Sequence, residues 1–525
     1  MTVPAVRTPF GLRGEPLQHL MLFAVIIPNF VAMGFAQSFF GGIVSYKSVY
    51  TLFEQVNTTT TTGSLKAHNS LIQGTVNACL NLGAVIGCLS CMFVGNRLGR
   101  RKTVVIGAAI EIIGTILFAS AFAYAQLIIG RLLLGIGLGM MSATLPTWQA
   151  ETSRTHKRGH HVIIDGIAIG SGIALASWIN LGFSYISGDM QWKWRIPAMT
   201  TGILGLMVLC FTLLFPESPR WLALKGQNDQ ARIMLAAVLG EEPESDHINR
   251  VLANIIHTND EAAESAPITA LFTMGKEKML YRILLACSVQ WYSQMAGSGL
   301  ITYYSTQLFT TIGLSSELSK ILAACVLTFK AICATIPFAT IEMAGRRRLF
   351  MLSGAGMALC MFCLTICASQ VSRTVDAGYA GVVFVFLFVA FYPIGYLGVN
   401  FLFCQEIITT RYRAPAAGVS TSVHWFTSYV VSLTTPLGFT ALGWKYYLIW
   451  GASAATIVPV VYFLYPETTD LSIEEIDQVF VDAPSVLSTP RLAEERRKEA
   501  KTRRRQVSVV EHFDESQKQD VQELD

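Results

Sequence analysis

The chain has 525 residues, 52% hydrophobic and only 14% charged, with a mean hydropathy of +0.46 and a formal net charge of +4. Soluble domains carry about 25% charged residues, so this composition excludes a single soluble core and reads as an integral membrane protein. The net charge is small, and it is the location of the charges that informs; the bilayer is the expected partner and nucleic acid is not.

Met1 to Gln18 is mixed and polar, and the first apolar run is too long for the hydrophobic region of a cleavable signal. A span needs about 20 apolar residues. On that measure the N-terminal tail is 1–19, and a first half, 20–216, holds spans near 20–45, 71–94, 103–125, 126–149, 162–184 and 196–215. A polar insert, 217–282, follows. A second half, 283–465, holds spans near 283–310, 321–341, 349–368, 379–404, 415–439 and 446–465, and the tail is 466–525. The fold class expected is all-α, with twelve membrane helices in two halves and a helical insert.

Charges near span ends orient the chain. Arg97, Arg100, Arg101 and Lys102 follow the second span, Arg154, Lys157 and Arg158 the fourth, Arg346 to Arg348 the eighth, and Arg411 and Arg413 the tenth. The insert is also basic, with Arg220, Lys225 and Arg232 among its cations, whereas the alternate loops are poor in Lys and Arg. Both termini and the insert are therefore expected in the cytoplasm, and the sequon Asn57-Thr58-Thr59 outside, where Asn57 is a glycosylation candidate.

The halves echo each other. NRLGRRK (Asn96 to Lys102) recurs as EMAGRRR (Glu342 to Arg348), Glu151 with Arg158 as Glu406 with Arg413, and FPESPRW (Phe215 to Trp221) as YPETTDL (Tyr465 to Leu471), at offsets of 246, 255 and 250 residues. Two homologous halves imply pseudo-symmetry about a central cavity, the architecture of alternating access. The GRR corners offer guanidinium groups to Glu151, Glu217, Glu406 and Glu467, pairs expected to hold the cytoplasmic side shut in one state. Arg220 and Arg347 belong to the same gating set.

With these residues in view the chain resembles a sugar porter of the major facilitator superfamily from about Leu20 to Phe480. GRLLLGIGLGMMSATLPTWQAETSRTHKRG (Gly130 to Gly159) is similar to that family's signature, and PESPRWLALKG (Pro216 to Gly226) and PETTDLSIEEID (Pro466 to Asp477) to its other hallmarks. The resemblance implies that Arg131, inside a span, acts in gating and, in symporters, faces a carboxylate on the first helix. An unpaired cation there costs roughly 2.5–3.5 kcal/mol. The stretch VAMGFAQSFFGGIVS (Val31 to Ser45) has no ionisable side chain, and Ala36 stands where proton-coupled members carry Asp. The family rule then implies a facilitator. Asn96, in place of a loop Asp, is a second departure, expected to loosen the cytoplasmic gate. Glu111, which Arg131 would neutralise, and Asp165 keep proton symport open as an alternative.

The resemblance also implies the binding site. On the seventh span SQMAGSGLITYY keeps Gln294, Tyr303 and Tyr304, while Ser293 and Gly299 replace a Gln and an Asn; the pattern resembles a fungal branch with lactose-permease-like members. Gly166 replaces a fifth-span Gln, Phe401 a tenth-span Trp, and His424 an eleventh-span amide, beside a retained Trp425. Amides such as Gln294 and Asn400, phenols and rings suit a sugar's hydroxyls and C–H faces. Lys330, where the family has Asn, either neutralises Asp165 or Glu111 or receives an anionic sugar acid or quinate-like substrate; neutral sugar is the leading reading. A non-transporting sensor is a minor alternative, since such proteins carry longer tails than 466–525.

The eleven cysteines lie in apolar runs without zinc-ligand pairing, so neither metal nor disulfide framework is expected. No cofactor and no enzymatic site is expected: the GxGxG of Gly135 to Gly139 follows no strand. A monomeric plasma-membrane carrier is the default. The basic block Arg491 to Gln506 reads as a solvated tail, with Ser508 beside it as a possible phosphorylation site.

Overall fold

The computed structural model describes residues 9–152, 158–188, 190–263, 271–371, 373–374, 376–409 and 412–502. These residues are helical, with no strand among them. The first six spans are α1 (Glu15–Ile43), α2 (Gly63–Leu98), α3 (Arg100–Ala119), α4 (Tyr124–Thr152), α5 (Arg158–Ser184) and α6 (Trp192–Thr212). The insert forms α7 (Pro219–Leu224), α8 (Asn228–Leu239) and α9 (Asp246–Ala263).

The second half is more broken. Its seventh span is two helices, α10 (Met279–Met295) and α11 (Ser298–Thr311), joined at Gly297, whose φ is +102°. The eighth is α12 (Ser316–Cys333) and α13 (Ile336–Ala344), parted just before Pro337. The ninth is α14 (Arg346–Gln370), and the tenth is α15 (Asp376–Tyr396) and α16 (Val399–Ile407). α17 (Arg413–Leu442) and α18 (Tyr446–Leu464) complete the set. By length and apolarity ten stretches could cross a bilayer. The difference from twelve has two causes: each piece of the seventh span is short, and 415–464 is one apolar stretch holding two helices.

Each span buries one face against its neighbours and leaves large apolar side chains such as Phe93, Ile203 and Leu359 on the outer surface, as a lipid-facing bundle requires. The halves meet along two pseudo-equivalent seams, α2 with α17 and α5 with α12. α1 crosses α11 so closely that a Cβ on Gly41 would fall 2.0 Å from the Tyr303 carbonyl oxygen. At the end nearer the insert, a Cβ on Gly166 would fall 2.2 Å from the Leu397 carbonyl oxygen. Backbone therefore touches backbone across the halves on both sides of the molecule's centre.

The insert packs its own small core of Leu222, Ala231, Met234, Leu235, Ile248 and Leu252. It docks on the N-terminal segment, where the Gly14 N–H donates to the Ala237 carbonyl at 2.7 Å and Gln18 Nε2 to that of Val238 at 3.0 Å. Beyond α19 (Ile473–Asp482), which opens with a Ser472/Glu475 capping box, residues 489–502 form α20. This departs from the solvated tail expected of the sequence: Thr489, Ala493, Arg497 and Ala500 are buried, and Arg497 lies 3.5 Å from Asp470. Residues 503–506 of that basic block, and Ser508, lie outside the described residues.

Candidate functional site

Where the two halves face each other, a cavity of about 360 Å³ opens near the helix breaks of the second half. Its wall takes Met33 and Gln37 from α1, Ile169 and Ile173 from α5, Gln294 from α10, and Ser298, Thr302 and Tyr303 from α11. Lys330 comes from α12, Tyr392 and Tyr396 from α15, Asn400 and Phe401 from α16, and His424 from α17. The break at Gly297 lets α11 restart at a new angle, so Gln294 and Thr302 reach the same space. The break at Leu397-Gly398 does the same for Tyr392 and Asn400.

The wall is mostly amide, hydroxyl and ring. His424 Nδ1 lies 3.0 Å from Ser293 Oγ, and its Nε2 lies 3.3 Å from Gln294 Nε2. Asn400 Nδ2 donates to Gln290 Oε1 at 3.1 Å, while its Oδ1 accepts nothing among the described residues. Gln37 has no hydrogen bond among the described residues, so its amide is available to a guest. The Phe401 and His424 rings stand 6.0 Å apart at 46° and form an apolar flank.

Of the binding residues read from the sequence, Gln294, Tyr303, Asn400, Phe401, His424 and Lys330 line this cavity, and Ser293, Tyr304 and Trp425 do not. Ser293 stands behind His424 and donates to the Gln290 carbonyl at 2.6 Å. Tyr304 donates to the Ser432 carbonyl at 2.7 Å and accepts from Asn77 at 3.2 Å. Trp425 turns its indole N–H across the seam to Ser142 Oγ at 3.1 Å. These three position the wall or join the halves. Sequence reasoning passed over Gln37, Thr302 and Tyr392. Gln37 was visible as a polar residue in an uncharged helix, whereas the other two reach the cavity through helix breaks.

A second cavity, of about 450 Å³, lies on the side of Thr302 and Tyr303 away from Gln294 and is lined by Ser38, Tyr46, Ser177, Asn180 and Lys320 among others. Thr302 and Tyr303 line both cavities and form the partition between them.

Arg131 is fully buried without an acid. Its Nε donates to the Val76 carbonyl at 2.9 Å and its Nη2 to Asn77 Oδ1 at 3.0 Å, and its guanidinium sits 4.6 Å from the Phe40 ring centre and 5.6 Å from that of Phe118. Carbonyls and ring faces do for it what a first-helix carboxylate would do. Glu111 is not its partner. Both Glu111 oxygens lack a hydrogen bond among the described residues, and the carboxyl packs against Gly205 of α6, where a Cβ would come within 2.8 Å of Oε2. Asp165 is equally buried, with the Gln149 side chain alongside, and forms no ion pair among the described residues. Neither acid lines the central cavity or pairs with Lys330.

The GRR corners repeat one plan, an arginine on a carboxylate of its own half, with different further partners. Arg100 makes two hydrogen bonds to Glu151, 2.8 and 3.0 Å, and Arg346 reaches Glu406 at 2.9 Å and Glu342 at 3.1 Å. Glu217 accepts the N–H groups of Arg100 and Arg101, and Glu467 those of Arg346 and Arg347, at the first turns of α3 and α14. Gly99 and Gly345 precede them at φ +89° and +85°, bringing each carboxylate under a helix N-terminus. Burial lifts the Glu217 carboxyl above its ordinary range, against the pull of the N–H groups it accepts. Arg101 and Arg347 close each corner on the carbonyls of Leu213 and Tyr462, at 2.6 and 2.5 Å. Each cluster lies within one half. In this conformation the pairs brace a half. Arg413 is buried, with the Asp477 carboxylate within its electrostatic reach. Arg220 has no ion pair among the described residues, and the side chains of Arg158 and Asn96 lie outside them.

Asn57 sits in the turn between α1 and α2, half-buried, with Oδ1 accepting from the Thr59 and Thr60 N–H groups at 3.1 Å.

Comparison with known proteins agrees with this geometry. The family model described as "Sugar (and other) transporter" matches residues 21–480. The sugar transporter STL1 of Saccharomyces cerevisiae is 32% identical over 481 residues, which cover 90% of this chain and 83% of that protein. The major facilitator superfamily transporter mfsA of Aspergillus fumigatus is 32% identical over 485 residues, covering 91% and 88%. Among solved structures, the proton:xylose symporter XylE bound to 6-bromo-6-deoxy-D-glucose has the same fold, with a TM-score of 0.76 at 24% identity over 88% of this chain and 99% of that one.

Proposed function

Because the chain belongs to the sugar transporter family of the major facilitator superfamily, we propose that it is an alternating-access carrier of a sugar or a similarly hydroxylated small molecule. The observation that carries this reading is the central cavity between the halves, where Gln37, Gln294, Asn400 and His424 offer hydrogen bonds and Phe401 offers a ring. Amides satisfy hydroxyls and the ring covers a C–H face.

The carrier works downhill. Ala36 leaves residues 20–45 of the first span without an acid, and Arg131 is already satisfied by Val76, Asn77 and Phe40. Proton coupling through Asp165 or Glu111 is disfavoured by their absence from the cavity wall. The protein sits in the plasma membrane as a monomer with both termini and the insert cytoplasmic, and it is a carrier and not an enzyme or a sensor. Asn57 then faces outside and carries a glycan, checked by an endoglycosidase mobility shift that Asn57→Gln abolishes.

The test of the substrate class is uptake of labelled glucose, xylose, galactose, lactose, glycerol, galacturonate and quinate in yeast lacking hexose carriers. Uptake of at least one of these is expected, reduced about tenfold or more in Gln294→Ala and His424→Ala through lost hydrogen bonds to the guest. Wild-type cells at the surface that take up none of the panel would contradict the reading.

A further inference from the structure

Lys330 is the one charged side chain on the central wall, and that wall contains no Asp or Glu. The residue is 3% exposed. Its ammonium makes a single hydrogen bond, donated to Thr302 Oγ1 at 2.7 Å, and stands 4.7 Å from the centre of the Tyr392 ring. It forms no ion pair among the described residues. An ammonium carries three donors, so two point at nothing that accepts a full hydrogen bond. Three other buried cations have acids, Arg100 with Glu151, Arg282 with Asp477 and Arg346 with Glu406, and Arg131, which has none, is held by the Val76 carbonyl, the Asn77 amide and two rings. Lys330 differs from them in facing a space large enough for a guest.

The groups around it have the same bias. Gln37 has an unused N–H₂, and Thr302, having accepted from Lys330, still has its own O–H to give. Tyr303, Tyr392, Tyr396 and His424 are the other titratable side chains on the wall, and none is an acid. A neutral polyol would occupy the amide and ring side and leave the ammonium without a counter-ion. A carboxylate on the polyol supplies one, as a charge-assisted pair in a water-poor site.

We propose that the substrate is a polyhydroxylated monocarboxylate, its carboxylate received by Lys330 and Thr302 and its hydroxyls by the amides of the same cavity. This rests on the reading of that cavity as the sugar site and narrows the substrate class within it.

The test is calorimetric titration of the full chain in lipid nanodiscs with D-galactose and D-galacturonate, which differ at one carbon. Wild type is expected to bind the uronate about tenfold or more tighter than the hexose, the worth of one charge-assisted bond. Lys330→Gln, of similar length and uncharged, is expected to lower the ratio of uronate to galactose affinity about a hundredfold. Thr302→Val keeps the ammonium and is expected to lower uronate affinity about tenfold, so the proposal stays testable if the lysine variant does not fold. Wild type that prefers galactose, or variants that leave the uronate-to-hexose ratio unchanged, would overturn the proposal and spare the carrier reading. A protein that binds neither overturns the proposal, and the uptake panel then decides the carrier reading.

Discussion

At the scale of single residues the decisive side chain is Arg131. The sequence has a cation in a span and no acid within residues 20–45 of the first span, which leaves the cation's partner open. The structure supplies carbonyls of Val76 and Asn77, the Asn77 amide oxygen and the Phe40 face. Asn77 also donates to Tyr304, whose hydroxyl goes on to Ser432, so one amide ties the cation to the opposite half. Asn77→Leu removes both links and is expected to cost about 2–4 kcal/mol, read as a lowered midpoint of thermal unfolding in detergent. No change in the midpoint would mean that Arg131 finds equal partners elsewhere. Legibility at this scale was uneven. Gln294, Asn400, His424 and Lys330 were readable because a polar residue in an apolar run needs a reason. Ser293, Tyr304 and Trp425 looked the same in sequence but turn away from the cavity, and a one-dimensional pattern does not carry side-chain direction across a broken helix.

At the scale of elements the two GRR corners make a quantitative prediction. Arg100 and Arg346 hold equivalent places, each with a buried carboxylate and a helix N-terminus capped by the next acid. Arg100→Ala and Arg346→Ala are each expected to cost about 3–5 kcal/mol, because each leaves a buried carboxylate unpaired. The same unfolding assay checks this, and a loss in one half alone would contradict the equivalence. Since both clusters are internal to a half, their removal is expected to lower stability more than substrate affinity. The positions of the spans were legible from apolar runs, but their breaks were not. Ala296 and Gly297 lie inside an apolar run where nothing forces a stop, and only packing against Met361 and Trp450 shows that the chain turns there. The docking of α20 was hidden for a related reason. Its buried face is Thr489, Ala493, Arg497 and Ala500, spaced as a helix requires but too polar to register as an amphipathic stripe.

At the scale of the whole molecule, function follows from two halves that share one seam on each side of a cavity. In this conformation backbone meets backbone at Gly41 with Tyr303 and at Gly166 with Leu397, so the halves form a constriction on either side of the central cavity. Alternating access requires each constriction to part in turn while the cavity wall stays assembled. Pseudo-symmetry makes this inexpensive, since α2 on α17 and α5 on α12 are versions of one contact. The two halves and the GRR echo were legible because repeats survive in order and spacing. The energy source was legible only as an absence, Ala36, and an absence needs a direct measurement. The most direct one uses purified protein in proteoliposomes with equal substrate on both sides, the membrane potential clamped at zero, and an imposed pH gradient. A downhill carrier exchanges label rapidly and builds no concentration difference. Accumulation on the alkaline side that collapses with a protonophore would contradict the account and return the coupling role to Asp165 or Glu111.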